Sequence, residues 1–320
     1  MIEATTLTKR FNDVVALDTL SCQIPAGAVY GLVGSNGAGK STFLRLVAGV
    51  YQPDGGTLTI DQEPIFENPL RKADVAFISD ELYFLSQSNL KRMSALYASA
   101  FTDFSRARFE ELVKLFDLDP KKRIGAFSKG MRRQAALLLA LSRRPRYLLI
   151  DEIFDGLDPV MRNIVRKLIY TDVYDRQATA IVSSHSLREL EDTCDRLALL
   201  HQGRIIFESE MDDLHTGLTK LQLVFAEDTP RALERQLRDT GLEPVKVSHL
   251  GKIVTVILDG VSEDAAKRVK VALDPQPMLL EELSLTLEEV FTYKMEAFGY
   301  HTEEVLPDEE LKTSSVAEPV

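Results

Sequence analysis

The chain has 320 residues, of which 45% are apolar and 27% charged, and these values predict a globular protein with one large and one smaller domain. The net charge of −11 argues against a broad nucleic-acid-binding surface, and we expect no nucleic acid partner. Two cysteines, Cys22 and Cys194, argue against a disulfide framework and indicate a reducing cytosol. The start of the chain, MIEATTLTKRF, lacks the apolar segment of a signal peptide, and no run of about 18 apolar residues that could span a bilayer occurs.

In the first 60 residues, short predicted strands flank one sharp turn. Ala28–Val33 is an apolar run typical of a buried strand, and a glycine-rich stretch follows it. The next residues, STFLRLVAGV, predict an amphipathic helix. Pro53–Gly56 predicts the turn that ends this segment, and Thr57–Ile60 predicts another strand.

Between about residues 61 and 130 the sequence changes character, and apolar side chains at helical spacing dominate NLKRMSALYASAF and RARFEELVKLF. From these segments we predict a helical insertion at about 84–130 between two core strands. Three apolar runs then predict strands, namely Tyr147–Ile150, Ala178–Ser184 and Arg196–Leu200. A helical pattern separates the first two of these runs. Strands that alternate with helices predict an α/β fold with a parallel sheet and helices on both of its faces.

After about Gly217 a new series of strand-like and helix-like segments begins, separate from the preceding α/β pattern. Strand-like and helix-like segments alternate from 218 to 300, and they predict a small accessory α+β domain that follows a main domain of residues 1–217. The last segment, 301–320, is acidic and polar, and we predict that it is a disordered tail.

The strongest motif is Gly34–Ser41, which reads GSNGAGKS and matches the phosphate-binding pattern G-x-x-x-x-G-K-[ST]. It directly follows a predicted strand and opens a helix, so its backbone N–H groups and the helix N-terminus can meet phosphates. Lys40 can reach the β- and γ-phosphates of ATP, and Ser41 offers a hydroxyl to Mg²⁺. The predicted nucleotide-binding residues of this segment are Gly34, Ser35, Asn36, Gly37, Ala38, Gly39, Lys40, Ser41 and Thr42.

Two carboxylates follow the predicted strand that ends at Ile150. Asp151 is expected to hold Mg²⁺ through water, and Glu152 to orient and deprotonate the water that attacks the γ-phosphate. Taken alone, an acidic pair after a strand is equally well explained as a helix N-cap. The phosphate-binding loop in the same chain favours the catalytic interpretation.

His185 follows the end of the next predicted strand. A lone histidine is more often structural than catalytic, but this strand should neighbour the strand of Asp151. That neighbourhood would bring the imidazole near the γ-phosphate, as a sensor or as a partner of Glu152. We therefore predict Lys40, Glu152 and His185 as the catalytic residues.

The segment Phe127–Gln134, FSKGMRRQ, resembles the signature of ABC transporter nucleotide-binding subunits, and it precedes the acidic strand in the order that this family uses. The resemblance covers residues 1 to about 217. It implies a P-loop NTPase core with a parallel sheet, an antiparallel β subdomain and a helical insertion. Ser128 begins a predicted helix, whose first amides suit an anion together with the Ser128 hydroxyl.

The resemblance also implies a head-to-tail dimer, in which the signature of one subunit closes over the ATP held by the other. Ser128 and Gly130 would then meet the γ-phosphate, Phe11 would pack against the adenine, and Gly156–Asp158 would form the loop that joins the two sites. The implied cofactors are ATP and Mg²⁺. The implied partners are a second ATP-binding subunit, identical or not, and an integral membrane permease, which places the chain at the cytoplasmic face of the plasma membrane.

Several positions depart from the pattern of the family. Asp80 stands where the family usually has glutamine, with Glu81 as the neighbouring alternative, and we expect the Asp80 carboxylate to bind Mg²⁺ or water beside the nucleotide. Lys129 and Met131 replace a common glycine and glutamine of the signature. Since the catalytic positions are retained, the resemblance implies a hydrolytically competent ATPase, most similar to bacterial exporter subunits of the YtrB-like kind.

Two other functions are compatible with an ABC-type ATPase. The first is a non-transport ATPase that acts on ribosomes or DNA. Ribosome-type members usually have two nucleotide domains in one chain, and DNA-repair members insert a long coiled coil, whereas this chain has one P-loop and a short stretch between P-loop and signature. The second is an adaptor that binds ATP without turnover, against which the presence of Glu152 and His185 argues.

Overall fold

A computed structural model of the chain describes residues 1–215, 218–226, 233–239, 241–242, 244–259 and 265–297. These residues form two compact units, which divide between Ser209 and Glu210. The domain boundary predicted after Gly217 and the predicted tail 301–320 lie outside the described residues and stay predictions. No helix in the described part of the chain is long and apolar enough to cross a membrane.

Two sheets form the frame of the first unit. The strands are β1 (Ile2–Phe11), β2 (Val14–Ile24), β3 (Val29–Val33), β4 (Gly55–Ile60), β5 (Glu63–Pro64), β6 (Val75–Ile78), β7 (Tyr147–Asp151), β8 (Thr179–Ser184), β9 (Arg196–His201) and β10 (Arg204–Glu210). The first sheet is antiparallel and has the order β2-β1-β4-β5. The second has the order β10-β9-β3-β8-β7-β6, and its strands from β9 to β6 pair in parallel.

The parallel sheet confirms the predicted α/β class. Its strands β3, β7 and β8 are buried along their whole length, which is why the sequence shows them as continuous apolar runs and not as alternating ones. The predicted bounds of β3, β7, β8 and β9 each differ from the structure by one residue at one end, and β4 begins two residues before its predicted start. One buried core includes side chains of the antiparallel sheet and of the parallel sheet, for example Leu20 and Leu149.

Helices connect these strands. They are α1 (Lys40–Val47), α2 (Pro69–Ala73), α3 (Leu90–Ala100), α4 (Arg106–Leu115), α5 (Lys129–Ser142), α6 (Pro159–Arg176) and α7 (Leu187–Glu191). A capping residue directly precedes each of the helices α3 to α6, and its side chain accepts a hydrogen bond from an amide of the first turn. These residues are Asn89, Ser105, Ser128 and Asp158. Helices α3 and α4 fall in the segment predicted as a helical insertion, whose bounds stay a prediction.

The second unit is a small sheet with helices. Its elements are α8 (Met211–His215), β11 (Leu218–Val224), α9 (Leu233–Asp239), β12 (Pro244–Leu250), β13 (Ile253–Asp259), α10 (Ala265–Ala272), β14 (Leu279–Leu283) and α11 (Leu287–Ala297). The strands have the order β12-β13-β11-β14 and all pair antiparallel. From β11 to β14 this is the β-α-β-β-α-β arrangement known as ferredoxin-like.

The core of the second unit provides a test of its packing. Leu223 lies on the central strand β11 and is completely buried against apolar residues of α9, β13 and α10. We expect Leu223→Ala to lower the free energy of unfolding by about 2–5 kcal/mol, because it leaves a cavity that the neighbours fill only in part. Val271→Ala on α10 is the control, since Val271 is 82% exposed and its loss should change stability by less than about 0.5 kcal/mol. Urea denaturation of the two variants checks this, and equal effects would contradict it.

Candidate nucleotide-binding and catalytic site

Three strand ends meet at the carboxyl edge of the parallel sheet. β8 lies between β3 and β7, with Val33 paired to Ser184 and Asp151 paired to Ser183. The loop after β3, the acidic pair after β7 and the histidine after β8 therefore start side by side. The predicted neighbourhood of the His185 strand and the Asp151 strand is confirmed, and such an edge is where open α/β sheets bind ligands.

The loop between β3 and α1 is tightly turned around a lysine. Gly39 has φ 111° and directly precedes α1, and a side chain there would lie 2.6 Å from the carbonyl oxygen of Ala16, so only glycine fits. The Lys40 side chain is buried, and its Nζ donates to the carbonyl oxygens of Gly34, at 2.6 Å, and Ser35, at 3.3 Å. Thus Lys40 curls back over the loop that the sequence assigns to phosphates.

Three predicted catalytic side chains come together at Glu152. Its Oε2 accepts a hydrogen bond from Nδ1 of His185 at 2.8 Å, and its Oε1 lies 3.3 Å from Nζ of Lys40. Because a carboxylate only accepts, Nδ1 of His185 carries the hydrogen. The main chain of Glu152 has φ 51°, a left-handed conformation that is unfavourable for a glutamate, and its N–H donates to the carbonyl oxygen of Ser183.

The surroundings of Glu152 also set its charge. Burial raises the pKa of Glu152, but the hydrogen bond from His185 and the charge of Lys40 outweigh burial and bring this pKa below its ordinary value. The same hydrogen bond, opposed by burial, raises the pKa of His185 above its ordinary 6.5. Glu152 is therefore ionised at neutral pH and able to accept a proton.

The raised pKa of His185 gives a pH prediction. The stabilisation from its pairing with Glu152 is fully present below the ordinary histidine pKa of 6.5 and is lost as the pH rises through the raised pKa. By NMR we expect the imidazole of His185 to titrate with a midpoint above 6.5, and Glu152→Gln to lower that midpoint. The signal is assigned with His185→Gln. An unchanged midpoint in Glu152→Gln would show that the pairing does not cause the shift.

Asp151 carries a buried oxygen that lacks a protein partner. The residue is 1% exposed, and its Oδ1 accepts from Oγ of Ser183 at 2.6 Å. Its Oδ2 is buried and has no hydrogen-bond partner among the described residues. A buried carboxylate oxygen without a partner is costly, and a hydrated divalent cation would satisfy it. The predicted Mg²⁺ site at Asp151 fits this observation.

Other predicted ligand residues have different surroundings. Asp80 is half-exposed, and its Oδ1 accepts from Nη2 of Arg133 at 2.5 Å. Phe11 is 39% exposed and packs edge-on against Tyr51, with 5.2 Å between ring centroids. Ser128 is exposed at the start of α5. The nucleotide roles of Phe11, Asp80 and Ser128 stay predictions.

Gly130 and Gly156 mark a close contact between α5 and the loop after β7. A side chain at position 130 would lie 3.0 Å from the carbonyl oxygen of Gly156. Lys129, beside it, forms an ion pair with Asp155 of the same loop. The start of α5 is therefore fastened to the segment that follows Glu152, while the predicted γ-phosphate contact of Gly130 stays a prediction.

Arg133, which is 2% exposed, is not among the residues predicted from the sequence. Its Nη1 donates to the main-chain carbonyl oxygen of Glu152, and its Nη2 contacts Asp80 and Asp155. Helical spacing was the available signal, because Arg133 stands four residues before the buried Leu137 and thus on the apolar face of α5. A charged residue on such a face needs partners, which the sequence alone did not identify.

Comparisons with known proteins decide the family. The family model described as ABC transporter matches residues 17–155. The ABC transporter ATP-binding protein NatA of Bacillus subtilis is 34% identical over 227 residues, which are 67% of this chain and 92% of NatA. The chain belongs to the ABC transporter family of ATP-binding proteins. Because ATP-binding cassettes of this family are ATPases, the chain is an ABC-type ATPase.

Two further similarities extend this result. The ABC transporter ATP-binding protein YtrB of Bacillus subtilis is 27% identical over 294 residues, which are 92% of this chain and 98% of YtrB. This similarity therefore reaches into the second unit. A solved ATP-binding subunit of an ABC transporter is 26% identical, with a TM-score of 0.62, over 67% of this chain and 92% of that one. The expected resemblance to the YtrB-like kind is thereby confirmed.

Proposed function

We propose that this ABC-type ATPase dimerises around two Mg-ATP and drives a separate membrane permease. The proposal rests on the contacts that Glu152 makes with Lys40 and with His185, while Lys40 also binds the carbonyl oxygen of Gly34 in the phosphate loop. A buried lysine next to a phosphate loop, and an ionised carboxylate positioned by a histidine, are the groups that hydrolysis of a γ-phosphate needs.

Each residue has a role in this proposal. The amides of residues 34–42 and the ammonium of Lys40 hold the phosphates of ATP. Glu152 accepts the proton of the attacking water, and His185 keeps its carboxylate in place. Ser41 and Asp151 would hold Mg²⁺, which neutralises charge on the β- and γ-phosphates when bound. The orphaned Oδ2 of Asp151 supports this assignment.

The proposed dimer uses the start of α5. Ser128 is exposed, its hydroxyl caps a 14-residue helix, and the first amides of that helix can bind an anion. We infer that the anion is the γ-phosphate of ATP held by a second subunit. Each subunit would then contribute Lys40 and Glu152 to one nucleotide and Ser128 and Gly130 to the other.

A matched pair of serine variants tests the dimer. Ser128 and Ser105 each cap a helix, and the hydroxyl of each accepts a hydrogen bond at 3.2 Å from the main-chain N–H three residues later. Replacement of either serine by alanine therefore removes the same kind of cap, worth about 1 kcal/mol. In the Glu152→Gln background, which should retain ATP, light scattering is expected to show an ATP-dependent dimer with Ser105→Ala and mostly monomer with Ser128→Ala. Equal dimerisation of the two variants would contradict the proposed contact.

The proposed permease surface lies next to Asp80. A groove of about 230 Å³ runs between the end of β6 and α3 and α5, and aromatic side chains of Phe77, Phe84 and Tyr97 line it. Tyr83 and Leu85 are exposed beside it, at 84% and 50%. Apolar side chains grouped around a groove are typical of a protein-binding surface. A permease bound here would hold the chain at the cytoplasmic face of the plasma membrane.

Steady-state ATPase assays test the coupling to transport. We expect the rate of the purified chain to change when it is reconstituted in lipid vesicles with its permease, which is to be sought as a multi-span membrane protein among the products of adjacent genes. Tyr83→Ser should remove that change and leave the rate without the membrane protein as it was, because Tyr83 is 84% exposed. A rate that responds to ribosomes or DNA, and not to the membrane protein, would favour a non-transport ATPase.

A further inference from the structure

Arg133 is a buried charge that the proposed catalytic roles do not use. It lies on α5, five residues after the signature serine, and it is 2% exposed. Burial of a guanidinium is unfavourable unless its N–H groups are paired. Its partners come from two segments, namely the Asp80 carboxylate after β6 and, after β7, the Asp155 carboxylate and the carbonyl oxygen of Glu152.

The contact with Glu152 falls on a strained main chain. Glu152 has φ 51°, and a glutamate in this region costs about 1–3 kcal/mol, so it persists only where its surroundings hold it. Its N–H is bonded to Ser183 of β8, within the sheet. Its carbonyl oxygen is bonded to Arg133 of α5, outside the sheet. The peptide groups on both sides of the Glu152 side chain are therefore fixed by different elements.

We propose that Arg133 is a positioning residue that fixes the Glu152 main chain, and that Asp80 in turn holds Arg133 in place. The inference rests on the proposed role of Glu152 as the general base. Through Arg133, the position of the Glu152 carboxylate depends on two segments, namely the signature helix α5 and the loop after β6 that carries Asp80. The hydrogen bonds and ion pairs that Arg133 makes to described residues go to Glu152, Asp80 and Asp155 and not to the phosphate loop or Lys40, so we expect it to act on turnover and not on ATP binding.

The neighbouring contacts make this link stiff. Lys129 is paired with Asp155, and Gly130 lies against Gly156. Together with the two contacts of Arg133, the first turns of α5 therefore contact the segment after β7 at four places. A shift of α5 or of the Asp80 loop must therefore move the main chain at Glu152. Misplacement of a catalytic group by about 1 Å can lower a rate by about 10²-fold.

Arg133→Gln tests the inference by separating turnover from binding. We expect kcat to fall about 10- to 100-fold, while the dissociation constant of ATP, measured by calorimetry, stays within about twofold of the parent. Arg176→Gln is the matched control. Arg176 also pairs with a carboxylate, that of Asp172, and donates to main-chain carbonyl oxygens, but on the far end of α6. The control should lose stability without this loss of kcat.

A double-mutant cycle with Glu152→Gln shows whether Arg133 acts through the base. If it does, adding Arg133→Gln to Glu152→Gln lowers the residual kcat by less than about twofold, because the base is already absent. A full additional loss would assign Arg133 a merely structural role and overturn the inference. If Glu152→Gln alone keeps the parent turnover, the proposed function of Glu152 fails instead, so the two failures are distinguishable.

Asp80→Asn keeps the test valid if Arg133→Gln does not fold. Asp80 is half-exposed, so its replacement is compatible with folding, and it removes the charge that holds Arg133. We expect a smaller loss of kcat, about 3- to 10-fold, and no further loss in the Glu152→Gln background. The kcat of Arg133→Lys should lie between those of the parent and Arg133→Gln, since one ammonium cannot reproduce the contacts of Nη1 with Glu152 and of Nη2 with Asp80 at the same time. Parent-like kcat in both Asp80→Asn and Arg133→Lys would overturn the inference.

Discussion

Glu152→Gln is expected to bind ATP like the parent and to lose about 10²–10⁴-fold in turnover. Glutamine has the size of glutamate and can still accept a hydrogen bond from Nδ1 of His185, so the site should keep its shape. It cannot accept a proton, and that is the step in which the ionised carboxylate is proposed to act. Phosphate release in the steady state gives kcat, and calorimetry gives the ATP affinity.

The control for this variant is Glu110→Gln. Glu110 is an exposed glutamate of α4, and the same change of charge there should leave both kcat and ATP affinity unaltered. Turnover of Glu152→Gln at the parent rate would remove Glu152 from the mechanism. Loss of ATP binding in this variant would instead mean that the carboxylate is needed to shape the phosphate loop.

The catalytic edge could be predicted because its determinants are local. The phosphate loop, the acidic pair and His185 each follow directly after a buried strand, and parallel strands place their carboxyl ends at one edge. The prediction for His185 also required its strand to neighbour the strand of Asp151, as β8 and β7 do. The end of β7 was predicted one residue early, since its final residue, Asp151, is polar.

The partners of Asp80 could not be predicted because they depend on tertiary packing. Position 80 and Arg133 are separated by 53 residues, and their pairing requires α5 to lie across the ends of β6 and β7. The family resemblance assigned Asp80 to Mg²⁺ by its position alone. In the structure its carboxylate contacts the guanidinium of Arg133, and this contact supports the positioning role proposed for Arg133.

The second unit was predictable in its elements but not in its topology. Alternating strand and helix patterns indicated an α+β unit, yet the order β12-β13-β11-β14 arises from pairing between strands far apart in sequence. In this sheet β13 lies between β11 and β12, and the sequence does not predict that position. The periodicity of β11, with Thr219, Leu221 and Leu223 buried, does agree with a sheet that packs one face on a core.

Lys40→Ala is expected to weaken ATP binding by at least about 10-fold, since a hydrogen bond to a charged group contributes roughly 1.5–3 kcal/mol. Lys40 is the cation of the loop itself: its side chain is buried and its Nζ already lies over the carbonyl oxygens of Gly34 and Ser35. Removal of this charge leaves His185 as the remaining cationic partner of Glu152, so the pKa of Glu152 should rise as well. Calorimetry with Mg-ATP measures the affinity.

Lys114→Ala is the control, because Lys114 is an exposed lysine of α4 and its loss should not alter the affinity. ADP, which lacks the γ-phosphate, sharpens the test. If Lys40 contacts both the β- and γ-phosphates, the variant should lose more affinity for ATP than for ADP, and both losses should shrink as salt screens the charge. ATP affinity equal to that of the parent would show that the loop after β3 does not hold phosphates through Lys40, and the proposed nucleotide site would then have to be abandoned.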